Sequence, residues 1–193
     1  MPPTAGDILR NALADAQSLL ATFVADDAAM RAAEAAGGAL TACYDGGCKA
    51  MICGNGGSLC DAAHFAEELT GRFRADRRPL PAIALTEPGH LTCTANDYGF
   101  EHVFSRSVEA LGGAGDVLIV LSTSGNSLNC VRACEAAKAK GMTTIGLLGT
   151  GGGRLRDLCD VAIVAPGQTS DRIQELHMLV LHIWVEMIEA AQT

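Results

Sequence analysis

Asp116-Val117-Leu118-Ile119-Val120-Leu121-Ser122-Thr123-Ser124-Gly125-Asn126-Ser127 is the stretch that decides the architecture. An unbroken apolar run, too short for a helix, gives way abruptly to hydroxyl residues and one glycine. Helical periodicity then follows over residues 126–140. A strand that is apolar on both faces is buried on both faces, as in parallel sheets covered by helices. Its polar sequel is the turn at the strand's carboxyl end, the position where open α/β sheets bind ligands.

The same pattern repeats outward from there. Short apolar runs lie at residues 49–53, 81–86, 143–148 and 161–165, each followed by turn residues, with helical periodicity over 58–73, 100–111 and, briefly, 154–158. This alternation predicts an α/β, three-layer, doubly wound fold whose central parallel β-sheet has about five strands flanked by helices. Upstream, residues 7–46 read as helical, since Ile8, Leu9, Leu13, Ala16, Leu19, Leu20 and Phe23 recur at helical spacing; Gly37-Gly38 is expected to bend or break that region. A long amphipathic helix over 171–190 closes the chain. With no linker, repeat or low-complexity segment, residues 1–193 read as a single domain: an N-terminal helical extension over 1–46, then an α/β core and C-terminal helix over 47–193.

Composition narrows the function classes. The 193 residues are 49% hydrophobic, enough for a full core, and carry a net charge of −8, which disfavours nucleic acid and anionic membrane surfaces as partners. Mean hydropathy is +0.22. Yet the apolar runs at 117–121 and 178–185 fall well short of the roughly 18–20 residues a bilayer span needs. The opening Met1-Pro2-Pro3-Thr4-Ala5-Gly6-Asp7 lacks the basic and apolar regions of a secretory signal, so the expected location is cytoplasmic. Eight cysteines occur with no Cys-x-x-Cys pair, and they read as reduced thiols.

Two strand-end loops and two helices carry the candidate chemistry. Gly54-Asn55-Gly56-Gly57-Ser58 follows a strand and opens a helix; its glycines permit close backbone approach and Ser58 suits an N-cap, though a plain tight turn has the same composition. Ser122-Thr123-Ser124-Gly125-Asn126-Ser127 offers four hydroxyls at a helix N-terminus, a cradle for phosphate that needs no lysine; the bland alternative is an elaborate cap. His64 and Glu68 stand at i and i+4 and can share one divalent ion, or form an ordinary surface pair. Gln174, Glu175, His177 and His182 sit in the apolar final helix, and their co-occurrence with His64 and Glu68 favours a shared site. The cluster Arg72, Arg74, Arg77 and Arg78 reads as a solvated loop face, with a phosphate in a neighbouring subunit as the alternative.

Taken together, Gly54-Asn55-Gly56-Gly57-Ser58, Asp61-x-x-His64-x-x-x-Glu68, Asn96-Asp97-Tyr98-Gly99, Ser122-Thr123-Ser124-Gly125-Asn126-Ser127 and Ile173-Gln174-Glu175-x-His177-x4-His182 resemble the phosphoheptose isomerases of the sugar-isomerase (SIS) fold. The resemblance runs nearly the whole chain. It implies interconversion of sedoheptulose 7-phosphate and D-glycero-D-manno-heptose 7-phosphate in heptose biosynthesis, one zinc ion per active site, and a homotetramer with sites at subunit interfaces, packed in part through residues 1–46. By motif it implies sugar and phosphate contacts at Asn55, Gly56, Gly57, Ser58, Glu68, Asn96, Asp97, Ser122, Thr123, Ser124, Ser127 and Gln174. It further implies metal ligands at His64, Glu68, Gln174 and His182, with Glu68 and His182 as the acid/base pair. Such an isomerisation moves a proton between C1 and C2 through an enediol and needs no redox cofactor.

Three features qualify the resemblance. Gln174 and His182 lie about 12 Å of helix rise and roughly 80° of rotation apart, so either the helix is distorted or the ligands come from different subunits; within one chain His177 is the easier partner for Gln174. The family usually has Asp-Thr-x-x-Ile-Gln before this glutamine, and here Thr169 stands at the carboxylate's place, with Asp171 nearby. Rival functions are an isomerase of a related heptulose or octulose phosphate, and a non-catalytic SIS protein binding a replication initiator; the presence of Glu68 and His182 speaks against the latter.

Overall fold

In the computed structural model, which describes residues 2–192, strands β1 (Ala50–Gly54), β2 (Ala82–Ala84), β3 (Val117–Ser122), β4 (Thr143–Leu148) and β5 (Val161–Val164) form one parallel sheet in the order β2-β1-β3-β4-β5. Alternate residues of each central strand serve opposite cores. Ile52, Val117, Ile119, Leu121, Ile145 and Leu147 face helices α1 (Ala5–Ala25), α2 (Asp27–Asp45), α3 (Gly57–Thr70) and α8 (Ser170–Ala191). Met51, Cys53, Leu118, Val120 and Leu148 face α4 (Pro88–Tyr98), α5 (Ser105–Leu111), α6 (Leu128–Ala139) and α7 (Gly153–Leu158). Burial on both sides explains why these strands are apolar at successive positions. The result is the three-layer, doubly wound arrangement expected.

The strand order also sets where a ligand belongs. From β1 the chain crosses to β2 on one side, and from β3 it proceeds to β4 and β5 on the other. A crevice therefore opens beyond the carboxyl ends of β1 and β3, the topological switch point of the sheet. The two loops singled out in the sequence are the ones that leave these strands. The opposite end of the pair is tied by Asp116, whose carboxylate accepts from Lys49 N (3.0 Å), Gly113 N (2.8 Å) and Lys49 Nζ (2.5 Å).

Several expectations need correction. The Gly37-Gly38 pair does not interrupt the helix; the break falls at Asp26, whose side chain caps α2 by accepting from Ala28 N and Ala29 N. Gly37 instead permits close helix packing, because a Cβ there would lie 2.5 Å from Met187 Cε and 3.2 Å from Trp184 Cδ1. Trp184, fully buried, donates Nε1–H to Ala33 O across the same interface at 2.8 Å. Residues 100–111 divide into a 3-10 turn at Phe100–His102 and α5, and α3 stops at Thr70 rather than residue 73. Helix α4 was not expected: it is mostly exposed and weakly amphipathic, and it starts because Glu87 accepts from Gly89 N and His90 N. Among the described residues no helix is long and apolar enough to cross a membrane. None of the eight cysteines is in a disulfide.

Candidate active site

Both loops at the switch point end in helices that lack a side-chain cap. Helix α3 starts from Gly56, which has φ +56°, and α6 starts from Ser127. Ser58 is not the N-cap; it lies buried in the first turn of α3 and its Oγ accepts from Gln174 Nε2 at 3.2 Å. The hydroxyls of the β3–α6 loop are similarly free of capping duty. Ser122 Oγ, which is buried, and Ser127 Oγ lie 3.2 Å apart, and Thr123 Oγ1 meets Ser170 Oγ at 3.1 Å. Ser124 Oγ accepts from Asn126 N within the loop. The capping explanation for this hydroxyl cluster therefore fails, and two helix N-termini converge with their positive dipole ends at the crevice.

The loops are held to one another and to a third loop. Asn55 and Asn129 exchange reciprocal amide hydrogen bonds of 3.0 and 2.8 Å, joining the β1–α3 loop to α6. Asn129, 3% exposed, was not singled out in the sequence, and nothing in its local pattern distinguishes it from any helical asparagine. Gly125 has φ +64°, and a Cβ on it would lie 1.9 Å from Gly152 O. Its own carbonyl accepts from Leu155 N, and Asn126 Oδ1 accepts from Arg154 N, so the glycine-rich β4–α7 loop underpins the β3–α6 loop. A concavity of about 330 Å³ lies beside these residues, lined by Asn55, Phe100, Glu101, Ser127, Leu128 and Asn129. Asn96 and Asp97, hydrogen-bonded to each other at 2.7 Å, are exposed on the last turns of α4, just before Phe100.

The second half of the site is a three-residue cluster between α3 and α8. His64 Nε2 donates to Glu68 Oε1 at 3.1 Å, and the ligand atoms of His64, Glu68 and His182 lie within 4.8 Å of one another. Tetrahedral zinc sets its ligand atoms about 3.3–3.5 Å apart, so this spread is within side-chain adjustment, and two imidazoles with one carboxylate suit that ion. The His64 and His182 rings meet edge to face at 5.1 Å, and Phe73 stacks on His182 at 5.8 Å. Asp61, one turn before His64, has an oxygen buried without a partner; burial raises its pKa, with the nearby His64 opposing.

His177 and Gln174 lie apart from this cluster. His177 is buried against the sheet end, its Nε2 on Leu148 O at 3.1 Å, and burial pulls its pKa down to about 4 although that hydrogen bond opposes the shift. Gln174 packs on the β1–α3 loop, where a Cβ at Gly57 would fall 2.7 Å from its Oε1. Helix α8 runs without interruption between Gln174 and His182, so the distorted-helix alternative is not what occurs. Near the α8 start, Thr169 bonds the Asp171 carboxylate, which lowers the pKa of that acid. The arginine cluster is not uniformly solvated: the side chain of Arg77 is only 3% exposed and pairs with Glu189. Its burial depends on a partner more than a hundred residues away, which local sequence does not reveal.

The SIS domain family matches residues 13–149. The chain is 53% identical over 171 residues to a phosphoheptose isomerase of Fusobacterium nucleatum, covering 89% of this chain and 88% of the relative. It is 50% identical over 184 residues to the Vibrio cholerae phosphoheptose isomerase, covering 95% and 96% respectively. Among solved structures, phosphoheptose isomerases from Francisella tularensis and Neisseria gonorrhoeae superpose with TM-scores of 0.92 and 0.90 at 34% and 37% identity, each over 97% of this chain and all of the other.

Proposed function

Starting from the chain's membership of the phosphoheptose isomerases, a family of SIS-domain enzymes, we propose how its residues carry out the isomerisation. The protein is an aldose–ketose isomerase that interconverts sedoheptulose 7-phosphate and D-glycero-D-manno-heptose 7-phosphate in heptose biosynthesis. The observation that carries the mechanistic reading is that helix α3 bears both parts of the site. Its uncapped start faces the uncapped start of α6 across the Asn55–Asn129 bonds, and about two turns further along it stands the His64–Glu68–His182 cluster.

The phosphate is held by the hydroxyls of Ser122, Thr123, Ser124 and Ser127 and by the N-terminal dipole of α6. Asn55, Gly56, Gly57, Ser58, Gln174, Asn96 and Asp97 orient the sugar chain. Glu68, with a side chain 14% exposed, removes the C1 proton of the ketose and returns it to C2. His182 delivers a proton to O2 as the enediol forms and takes one from O1 as the aldehyde forms, so the net change is the isomerisation alone. Ring contacts with Phe73 and His64 limit the reorientation of His182. His64, Glu68 and His182 would hold a zinc ion, which would supply polarisation of the substrate's carbonyl oxygen.

Gln174 lies about 12 Å of helix rise from His182, and its amide is engaged by Ser58 Oγ at the start of α3. This supports the assignment of its ligand role to an adjoining subunit's site in a homotetramer. Exposed Ile8, Leu9 and Leu13 on α1 support packing of residues 1–46 between subunits, within a single domain spanning 1–193. The reading places the enzyme in the cytoplasm. Its test is the pair E68Q and H182N, each expected to lower kcat by about 10²–10⁴. Turnover within tenfold of wild type in either variant removes that residue from the acid/base pair.

A further inference from the structure

We infer that Arg77 is a positioning residue for the acid/base pair, acting through the segment 71–81 as a strap that fixes α3 and α8 to one another. The inference rests on the assignment of Glu68 and His182 made above and adds to it a residue in contact with neither reacting carbon.

Helix α3 ends at Thr70, two residues after Glu68, so the carbonyls of its last turn lack the usual i+4 partners within the helix. Arg77 supplies donors to two of them, Leu69 O accepting from Leu80 N as well at 2.9 Å. Its Nη2 donates to Glu68 O at 2.6 Å, and its Nη1 donates to Leu69 O at 2.9 Å and to Arg78 O at 3.1 Å. The planar fork suits this task, since two parallel donors meet successive carbonyls and the positive charge faces the negative end of the helix dipole. The catalytic carboxylate is thus mounted on a backbone unit that the guanidinium grips directly.

The other side of Arg77 reaches α8. Its Nε lies 3.4 Å from Glu189 Oε1, with both side chains less than a tenth exposed. Glu189 in turn accepts from Arg74 N and Ala75 N at 3.3 Å each, which fixes the strap's backbone next to Phe73. Phe73 stacks on His182, while the Arg74 guanidinium lies 5.1 Å from the Phe73 ring centroid and its Nη2 bonds Glu186 at 2.6 Å. One buried ion pair therefore locks Glu68 through its own carbonyl and His182 through the ring that covers it. Buried charge pairs often add little net stability, and here the pair is assigned a geometric role. Displacement of a reacting group by about 1 Å can cost a hundredfold in rate.

The test uses the zinc-loaded full-length enzyme and the variants R77K, F73L and R77K/F73L, with E68Q and H182N measured alongside. Lysine keeps the charge beside Glu189 but has no fork to grip two carbonyls. R77K is expected to lower kcat about tenfold to a hundredfold while KM changes less than about twofold. Its apparent zinc affinity, read by competition with a chelator, should weaken about tenfold or more. Because Phe73 acts through the same strap, the double variant should be no slower than the slower single one. Wild-type kcat and zinc affinity in R77K, with E68Q and H182N inactive, would overturn the inference and leave the acid/base assignment intact. Multiplicative effects in the double variant would overturn the single-strap account. Active E68Q or H182N would overturn the assignment, and the inference with it.

Discussion

Replacing Gly125 with alanine tests how the hydroxyl loop is held. Two penalties apply, and they can be separated. The first is conformational: Gly125 has φ +64°, and a non-glycine residue in the left-handed region costs about 1–2 kcal/mol. The second is steric: the new Cβ would lie 1.9 Å from Gly152 O and 2.2 Å from Gly152 C, both backbone atoms, so the two loops must part by roughly 1.5 Å to restore ordinary contact. Gly151 is the matched control, with φ +77° and nothing within 4 Å of its added Cβ. Urea unfolding and steady-state turnover of sedoheptulose 7-phosphate should be measured for both. G151A is expected to lose about 1 kcal/mol with nearly unchanged kinetics. G125A should lose about 2 kcal/mol more, with KM raised tenfold or more, because Ser122, Thr123, Ser124 and Ser127 move with the loop. Equal stability and equal KM in the two variants would refute the claim that the β4–α7 loop positions the phosphate cradle.

Three further outcomes follow from the same geometry. N129A leaves the buried side of the Asn55 amide unpaired; it should cost about 1–3 kcal/mol and raise KM, and a neutral effect in both assays would show that the amide pair does not hold the sugar loop. His177 should make stability fall with acid: its folded pKa near 4 lies below the unfolded 6.5, so its contribution is complete above pH 6.5 and is lost towards pH 4, about 1.4 kcal/mol per pH unit and roughly 3 kcal/mol in all. Urea unfolding of H177Q across pH 7.5 to 5 should show a slope shallower by about one proton, and an unchanged slope would contradict the burial argument. H64A should lose bound zinc and, as an exposed residue, little stability, which metal analysis and thermal melting would check together.

The parts of this protein that were legible in its sequence are those governed by local rules. Strands buried on both faces leave continuous apolar runs, so β3 and β4 could be placed to within a residue. A polar loop immediately after such a run is a strand-end loop by necessity, which places Asn55 and Ser122 at strand carboxyl ends; that the two ends adjoin at the switch point follows only from the strand order. The i and i+4 spacing of His64 and Glu68 similarly fixed them on one helix face. What stayed hidden depends on distant partners. Gly37 looked like a helix break because its packing against Trp184 and Met187 lies on another element. Arg77 looked solvated because Glu189 is remote in sequence, and Phe73 and Asn129 gained significance only when α8 and the β1–α3 loop closed over them. Helix α4 was missed for a different reason: its exposed, polar face leaves little apolar periodicity to read, and only the Glu87 cap marks its start.

The central claim is metal-assisted proton transfer at the His64–Glu68–His182 cluster beside a hydroxyl-lined phosphate cradle. Its most direct test is turnover of sedoheptulose 7-phosphate by the purified protein, before chelation, after chelation, and after zinc is restored. The account predicts formation of the aldoheptose phosphate that stops on chelation and returns with zinc in wild type but not in H64A. Undiminished turnover by metal-stripped protein, or zinc-dependent turnover that H64A retains in full, would contradict it.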